Sequence, residues 1–377
     1  MIYLDNSATT AVCKPAADKA YAVMTEQFGN PSSLHSLGIQ AEAELTEARR
    51  ILAERIGATE AEIVFTSGGT EANNLAILGA ARARKRRGLH IIRSAIEHPS
   101  VSAAFDRLAE EGFEVTVIPP QADGSVASDD VVAACRPDTV LVSVMLVNNE
   151  TGALFPMEKA APRIRKKSPL AAIHTDAVQA FGKLPIQVGR LGVDLLSFSG
   201  HKLYAPKGIG GLYCRKGTRL LSPAALGGGQ EKGIRSGTEN VPAAAAFGAA
   251  VASLPPIAES QAHFAALKER LVEGIQTLPD TRLHLPQNGV PYIVNFSLMG
   301  LRSETLIHFL AEREIYVSGG SACAKGHASP VLTAMNLPPA EIDSALRVSF
   351  GSHNTPADVD ALVSALRTAA DTLTHRR

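Results

Sequence analysis

The sequence predicts an α/β protein: a large domain around a mostly parallel, seven-stranded sheet, followed by a smaller α+β domain. Three observations lead there. Through the first two thirds of the chain, short β-branched runs alternate with Ala-rich helical segments, the pattern left when crossover helices cover both faces of a parallel sheet. At Leu254-Pro255-Pro256 the helical periodicity breaks, and a new amphipathic segment follows. With 377 residues, 45% of them hydrophobic and 20% charged, the chain is long and apolar enough to bury a large core.

Taken in order, seven runs read as strands: residues 62–66, 90–94, 114–118, 140–144, 171–175, 194–198 and 210–214. Helices fall between most of them. One, at about 40–56, sets Ala41, Leu45, Ala48, Ile51, Leu52 and Ile56 on one stripe and stops at Gly57, a common residue just past a helix end. Beyond an Ala-rich helix from Val241, the second domain is expected to hold a helix at 260–278, a strand at 292–296, a helix at 303–312 and a final helix at 356–374. The longest apolar stretch, 140–147, has the length of a buried strand and falls far short of the ~20 residues that span a bilayer.

Charge and cysteine usage narrow the function classes. The 37 Lys and Arg balance 37 Asp and Glu, which argues against general affinity for nucleic acid or acidic membranes. The basic run 82–87 sits in the last turns of a helix, where cations complement the helix dipole, and reads as a solvated face. Cys13, Cys135, Cys214 and Cys323 form no close pair, so neither a disulfide framework nor a cysteine metal site is expected. Their scarcity, and an opening Met1-Ile2-Tyr3-Leu4-Asp5-Asn6 unlike a secretory leader, lead to the expectation of a reducing, cytoplasmic location.

Four segments carry chemistry. Thr66-Ser67-Gly68-Gly69-Thr70-Glu71 follows a strand and opens a helix, so free N–H groups and glycines offer an anion a close approach, although a plain capped helix has the same signature. It matches neither the dinucleotide fingerprint nor the P-loop. Asp176 ends a buried strand, the position where open α/β sheets hold ligands. A carboxylate there calls for a cation or a protonated heterocycle, or else serves as a helix cap. Ser199-Gly200-His201-Lys202 ends the next strand, and a desolvated lysine is a nucleophile toward carbonyls. Together, a carboxylate for a ring nitrogen, a lysine and a phosphate turn are what pyridoxal phosphate requires. Finally, Cys323 lies in the small-residue segment 318–327, where Lys325 and His327 can favour the thiolate.

These segments resemble the NifS/IscS-like cysteine desulfurases, in the class V branch of the fold-type I pyridoxal-phosphate enzymes. The likeness runs from Tyr3-Leu4-Asp5-Asn6-Ser7-Ala8-Thr9-Thr10 to Arg347-Val348-Ser349-Phe350, through Phe28-Gly29-Asn30-Pro31, Glu97-His98, Asn148-Asn149-Glu150, Gly227-Gly228-Gly229-Gln230-Glu231 and Arg235-Ser236-Gly237-Thr238-Glu239-Asn240. It implies a large domain over 12–255, with 1–11 and 256–377 forming a small domain that carries the cysteine segment. Lys202, Cys323 and His98 are then the catalytic residues: Lys202 bears the cofactor, His98 stacks on its ring, and Cys323 takes sulfur from L-cysteine as a persulfide while alanine is released. Asp176 pairs with the ring nitrogen and Gln179 with the phenolic oxygen. Gly69, Thr70, Ser199 and His201 hold the phosphate, Asn149 borders both cofactor and substrate, and Thr238 reaches the cofactor of a second subunit, making a homodimer. Arg347, Asn149 and Asn30 take the substrate carboxylate, and a protein acceptor, in iron–sulfur cluster assembly or tRNA thiolation, receives the sulfur.

Two departures stand out. The segment after Cys323 is about two residues shorter than in IscS-like members, and Ser352 stands where many relatives carry arginine. Selenocysteine lyase, another class V transaminase and a non-catalytic sulfur-transfer scaffold are the alternatives.

Overall fold

The computed structural model describes residues 1–221, 226–319 and 328–373. Twelve strands run in chain order: β1 (Ile2–Tyr3), β2 (Ile63–Thr66), β3 (His90–Ser94), β4 (Glu114–Ile118), β5 (Thr139–Ser143), β6 (Ala172–Asp176), β7 (Leu195–Ser199), β8 (Gly210–Cys214), β9 (Thr281–Leu283), β10 (Ile293–Leu298), β11 (Ile315–Tyr316) and β12 (Ala345–Ser349). All seven strands expected for the large sheet form, each within one residue of its expected ends.

The large sheet has the order β2-β8-β7-β6-β5-β3-β4. Neighbours are parallel except at β8, which runs antiparallel to both β2 and β7. Every residue of β5, β6, β7 and β8 is buried, as a sheet covered on both faces demands. Glycines let β8 fit. A Cβ on Gly210 would lie 2.7 Å from Gly68 Cα, and one on Gly211 would enter the Phe198 ring. Phe198 in turn stacks on Phe181 with centroids 4.3 Å apart, and Phe247 closes the aromatic cluster.

Because β2, β3, β5, β6 and β7 all point the same way, their C-terminal ends open on one edge of the sheet. The helices Gly69–Arg84 and Pro99–Glu110 begin at that edge, so their N-terminal N–H groups face it too.

The remaining strands build two smaller sheets: an antiparallel β12-β10-β9, and a parallel pair of β1 with β11. The helices Ile257–Gln276 and Pro356–Thr372 pack against each other beside them. The N-terminal residues thus belong with the far end of the chain, Ile2 opposite Ile315 and Asp5 bridged to Ser349. From there residues 6–10 cross to the large sheet, where the Thr10 N–H donates to the His201 carbonyl at 2.8 Å.

Element ends differ modestly from the sequence reading. The helix expected at 40–56 is Ser36–Glu54, because His35 caps it by accepting the Gly38 N–H, a role more often filled by Ser, Thr, Asp or Asn. The helix expected from 260 starts at Ile257, immediately after Pro256. Among the described residues, no single helix is long and apolar enough to cross a membrane.

Candidate active site

A cavity of about 230 Å³ opens at the shared strand edge. Ten residues singled out in the sequence line it: Gly69, Thr70, His98, Asn149, Asp176, Gln179, Ser199, His201, Lys202 and Arg347. They come from six separate segments, brought together by the parallel sheet and by the return of β12.

The turn after β2 is built before any ligand arrives. Thr66 Oγ1 donates to the Gly68 carbonyl at 3.0 Å, and Glu71 accepts the Ser67 N–H while pairing with Arg235 at 3.1 Å. The helix then begins at Gly69. A Cβ there would stand 2.7 Å from Val178 Cγ2, so glycine is needed for the helix start to pack against the strand-end residues. Ser199 and His201 border the same corner, and burial pushes His201 down to about 4, leaving it a neutral N–H donor.

Asp176 is nearly fully buried at the end of β6. Its Oδ1 accepts the Val178 N–H at 2.9 Å, and its Oδ2 accepts from Asn73 Nδ2 at 2.7 Å. Asn73 also donates to Ser100 Oγ at 2.9 Å, and Ser100 contacts His98 Nδ1 through its hydroxyl (2.8 Å) and its N–H (3.1 Å). Burial lowers the His98 pKa; the Asp176 carboxylate opposes this and Lys202 reinforces it. Behind His98, Glu97 is fully enclosed and pushed up to about 8 by burial. It accepts from Ser94 Oγ at 2.5 Å and from the Met145 N–H at 2.9 Å, which fixes the loop after β5.

Lys202 ends the short turn after β7. Its ammonium donates to the carbonyls of Ser7 and Ala8, both at 2.6 Å. Gln179 Nε2 donates to the Ser7 carbonyl at 3.0 Å, and the Gln179 carbonyl accepts from Tyr292 Oη at 2.8 Å.

Arg347, from β12, is buried against the opposite wall. Nη1 donates to the Asn149 carbonyl at 2.9 Å and Nη2 to Asp5 Oδ1 at 2.6 Å, while Nε has no partner. Burial pushes the Asp5 carboxyl up, against the pull of Arg347 and Lys202. Beside Asn149, the buried Glu150 accepts from Ser329 Oγ at 2.5 Å, and Ser329 caps the helix Pro330–Ala334. Ser318 and Arg347 exchange backbone hydrogen bonds at 3.2 and 2.7 Å. The stretch between these two anchors includes Cys323, Lys325 and His327, which lie outside the described residues. The other three cysteines lie away from the cavity.

Two expected site residues are not in this cavity. Asn30 and Thr238 are both exposed, and together they line a second cleft of about 280 Å³ with Val23, Met24, Phe28 and Val241. Ser352 lines a small cavity with Lys183, a buried amine that burial and then Lys202 and Arg347 push down to about 7. An arginine at 352 would set another cation beside it.

The walls fit pyridoxal phosphate. Buried polar atoms without partners, Gln179 Oε1, Ser7 Oγ and Asn73 Oδ1, belong to residues around the cavity; a carboxylate and an amine sit across it; and a helix N-terminus serves the phosphate. Sequence reasoning assigned no individual role to Asn73, Ser100, Ser7, Asp5 or Glu150. Asp5, Ser7 and Glu150 lie inside the matched segments 3–10 and 148–150, whereas Asn73 and Ser100 stand outside every quoted motif, one turn beyond Gly69 and two residues beyond His98.

The family model for class V aminotransferases matches residues 2–362. A NifS/IcsS protein homolog of Lactobacillus delbrueckii subsp. bulgaricus is 43% identical over 371 residues, covering 97% of this chain and 96% of its own. The cysteine desulfurase IscS of Methanosarcina thermophila is 42% identical over 366 residues, covering 96% and 90%. Among solved structures, a NifS-like protein superposes with a TM-score of 0.93 at 34% identity, covering 99% of this chain and all of its own. SspA in complex with cysteine gives 0.83 at 35%, covering 94% and 100%.

Proposed function

The chain belongs to the class V aminotransferases, in their NifS/IscS-like cysteine desulfurase branch, and on that premise we propose that it converts L-cysteine to L-alanine and holds the sulfur as a persulfide on Cys323. The observation that carries the proposal is the convergence of Lys202, Asp176, His98, Arg347 and the Gly69 helix start on one cavity.

Asp176 would pair with the ring nitrogen of bound pyridoxal phosphate, Gln179 with its phenolic oxygen, and His98 would stack on its face. Gly69, Thr70, Ser199 and His201 would hold the phosphate. Bound there, the cofactor supplies an electron sink for charge that develops at the substrate Cα. Lys202 would anchor the cofactor and, with its amine freed when substrate binds, would take the Cα proton. Arg347 and Asn149 bind the substrate carboxylate; a guanidinium fork suits it. Cys323 thiolate attacks the substrate sulfur: the S–S bond forms as the C–S bond breaks, one proton is then delivered to Cβ, and the proton taken by Lys202 is returned to Cα to complete alanine. A protein thiol then accepts the sulfur. The neighbourhood of Thr238 and Asn30 is completed by a second copy of the chain, so the working unit is a homodimer. A reducing compartment, the cytoplasm, keeps Cys323 ready; cell fractionation checks that placement.

The direct test incubates the cofactor-loaded protein with L-cysteine, measures alanine and weighs the peptide containing Cys323. One added sulfur and stoichiometric alanine are expected, and Cys323→Ala should lose both. Absence of alanine with cofactor bound overturns the proposal.

A further inference from the structure

The hydrogen bonds around His98 fix which ring nitrogen carries its proton. Nδ1 lies 3.1 Å from the Ser100 N–H, and a backbone amide only donates, so Nδ1 presents a lone pair. The Ser100 hydroxyl lies 2.8 Å from the same nitrogen and accepts from Asn73 Nδ2, which directs its one proton to Nδ1. The other Asn73 proton goes to Asp176 Oδ2, an acceptor. Every link therefore has one polarity: the asparagine amide donates at both ends, the hydroxyl passes the direction on, and Nδ1 receives. Nε2 is the nitrogen these bonds leave over, on a ring that lines the cavity.

We propose that Asn73 and Ser100 are positioning residues that hold His98 as the neutral Nε2–H tautomer, so that His98 presents a proton donor to the cavity and leaves proton removal to Lys202. The same chain ties His98 to Asp176, so the carboxylate and the imidazole are oriented as one unit. Burial of His98 acts in the same direction by disfavouring the imidazolium. The catalytic meaning rests on the desulfurase reading; the tautomer does not.

The test labels histidine with nitrogen-15 and reads the tautomer from long-range proton–nitrogen correlations at neutral pH, with and without cofactor; His98→Gln identifies the resonance. Wild-type protein should show Nε2 protonated and Nδ1 bare. In Ser100→Ala the backbone N–H still donates to Nδ1, so the Nε2–H form should persist, but the hydroxyl link to Asn73 and Asp176 is lost and kcat for alanine formation should fall about tenfold or more, part of the roughly 10²–10⁴-fold that proton transfer by a placed group contributes, with KM within about threefold. Ser100→Thr keeps the hydroxyl and should restore kcat. A protonated Nδ1 in the wild type overturns the proposal without any variant. So does Ser100→Ala with unchanged kcat. A wild-type protein that makes no alanine overturns the desulfurase reading instead, since the spectrum needs no turnover.

Discussion

Arg347 is 1% exposed, yet its guanidinium is only partly committed: Asn149 and Asp5 take one proton from each terminal nitrogen, and Nε is left without a partner. A buried cation with an unpaired donor is costly unless something binds it, and a substrate carboxylate supplies the missing acceptor. Lysine at this position keeps the charge but loses the planar fork. Arg347→Lys is therefore expected to raise KM for cysteine by roughly tenfold or more, about the 1.4 kcal/mol or more that a charge-assisted hydrogen bond contributes, with the cofactor's visible absorption unchanged. Steady-state kinetics on the cofactor-loaded variant decide it; an unchanged KM would move carboxylate binding elsewhere. Residues of this kind were legible in the sequence when the motif sat at a strand end, as Asp176, Lys202 and Gly69 do. Asp5 and Asn73 were not, because their roles exist only through partners 342 and 103 residues away in the chain.

At the scale of elements, the helix Gly69–Arg84 and strand β8 explain each other. The helix start lies against Val178, β8 passes beneath the same turn at Gly210, and both contacts need a missing side chain. The large sheet was readable because each strand is a β-branched run bounded by helical segments. Its one reversed strand was not, since direction depends on tertiary pairing rather than on composition. Helix starts were displaced for a similar reason: His35 as a cap and Pro256 as a lead-in are weaker signals than the apolar stripe that follows. Gly69→Ala keeps helix propensity, if anything improving it, but drives a methyl into Val178. Apoprotein carrying it is expected to bind pyridoxal phosphate about tenfold more weakly or worse, read by absorbance titration, with little loss in thermal stability. Equal affinity would show that Val178 yields and that the helix start is not held by this contact.

The whole molecule leaves an apolar area uncovered. Tyr21, Met24, Phe28, Leu34 and Ile39 are exposed, Leu34 at 97%, and the cleft holding Asn30 and Thr238 lies beside Met24 and Phe28. Clustered exposed apolar side chains mark association surfaces more often than a scattering of single ones does. If the proposed homodimer forms through this face, Phe28→Asp combined with Leu34→Asp should yield a monomer by sedimentation and weaken cofactor binding; a dimer that survives both charges would place the interface on another face.

The bond between Asp5 and Arg347 also sets a clock. At roughly 5–20 residues per second, a ribosome that has made Asp5 needs on the order of 20–70 s to reach its partner. For that interval Leu4, fully buried in the finished protein, has nowhere to go, and the carbonyls of Ser7 and Ala8 await a lysine nearly two hundred residues downstream. The cofactor pocket is thus among the last features of the nascent chain to close, and loading it is an event that follows synthesis rather than accompanying it.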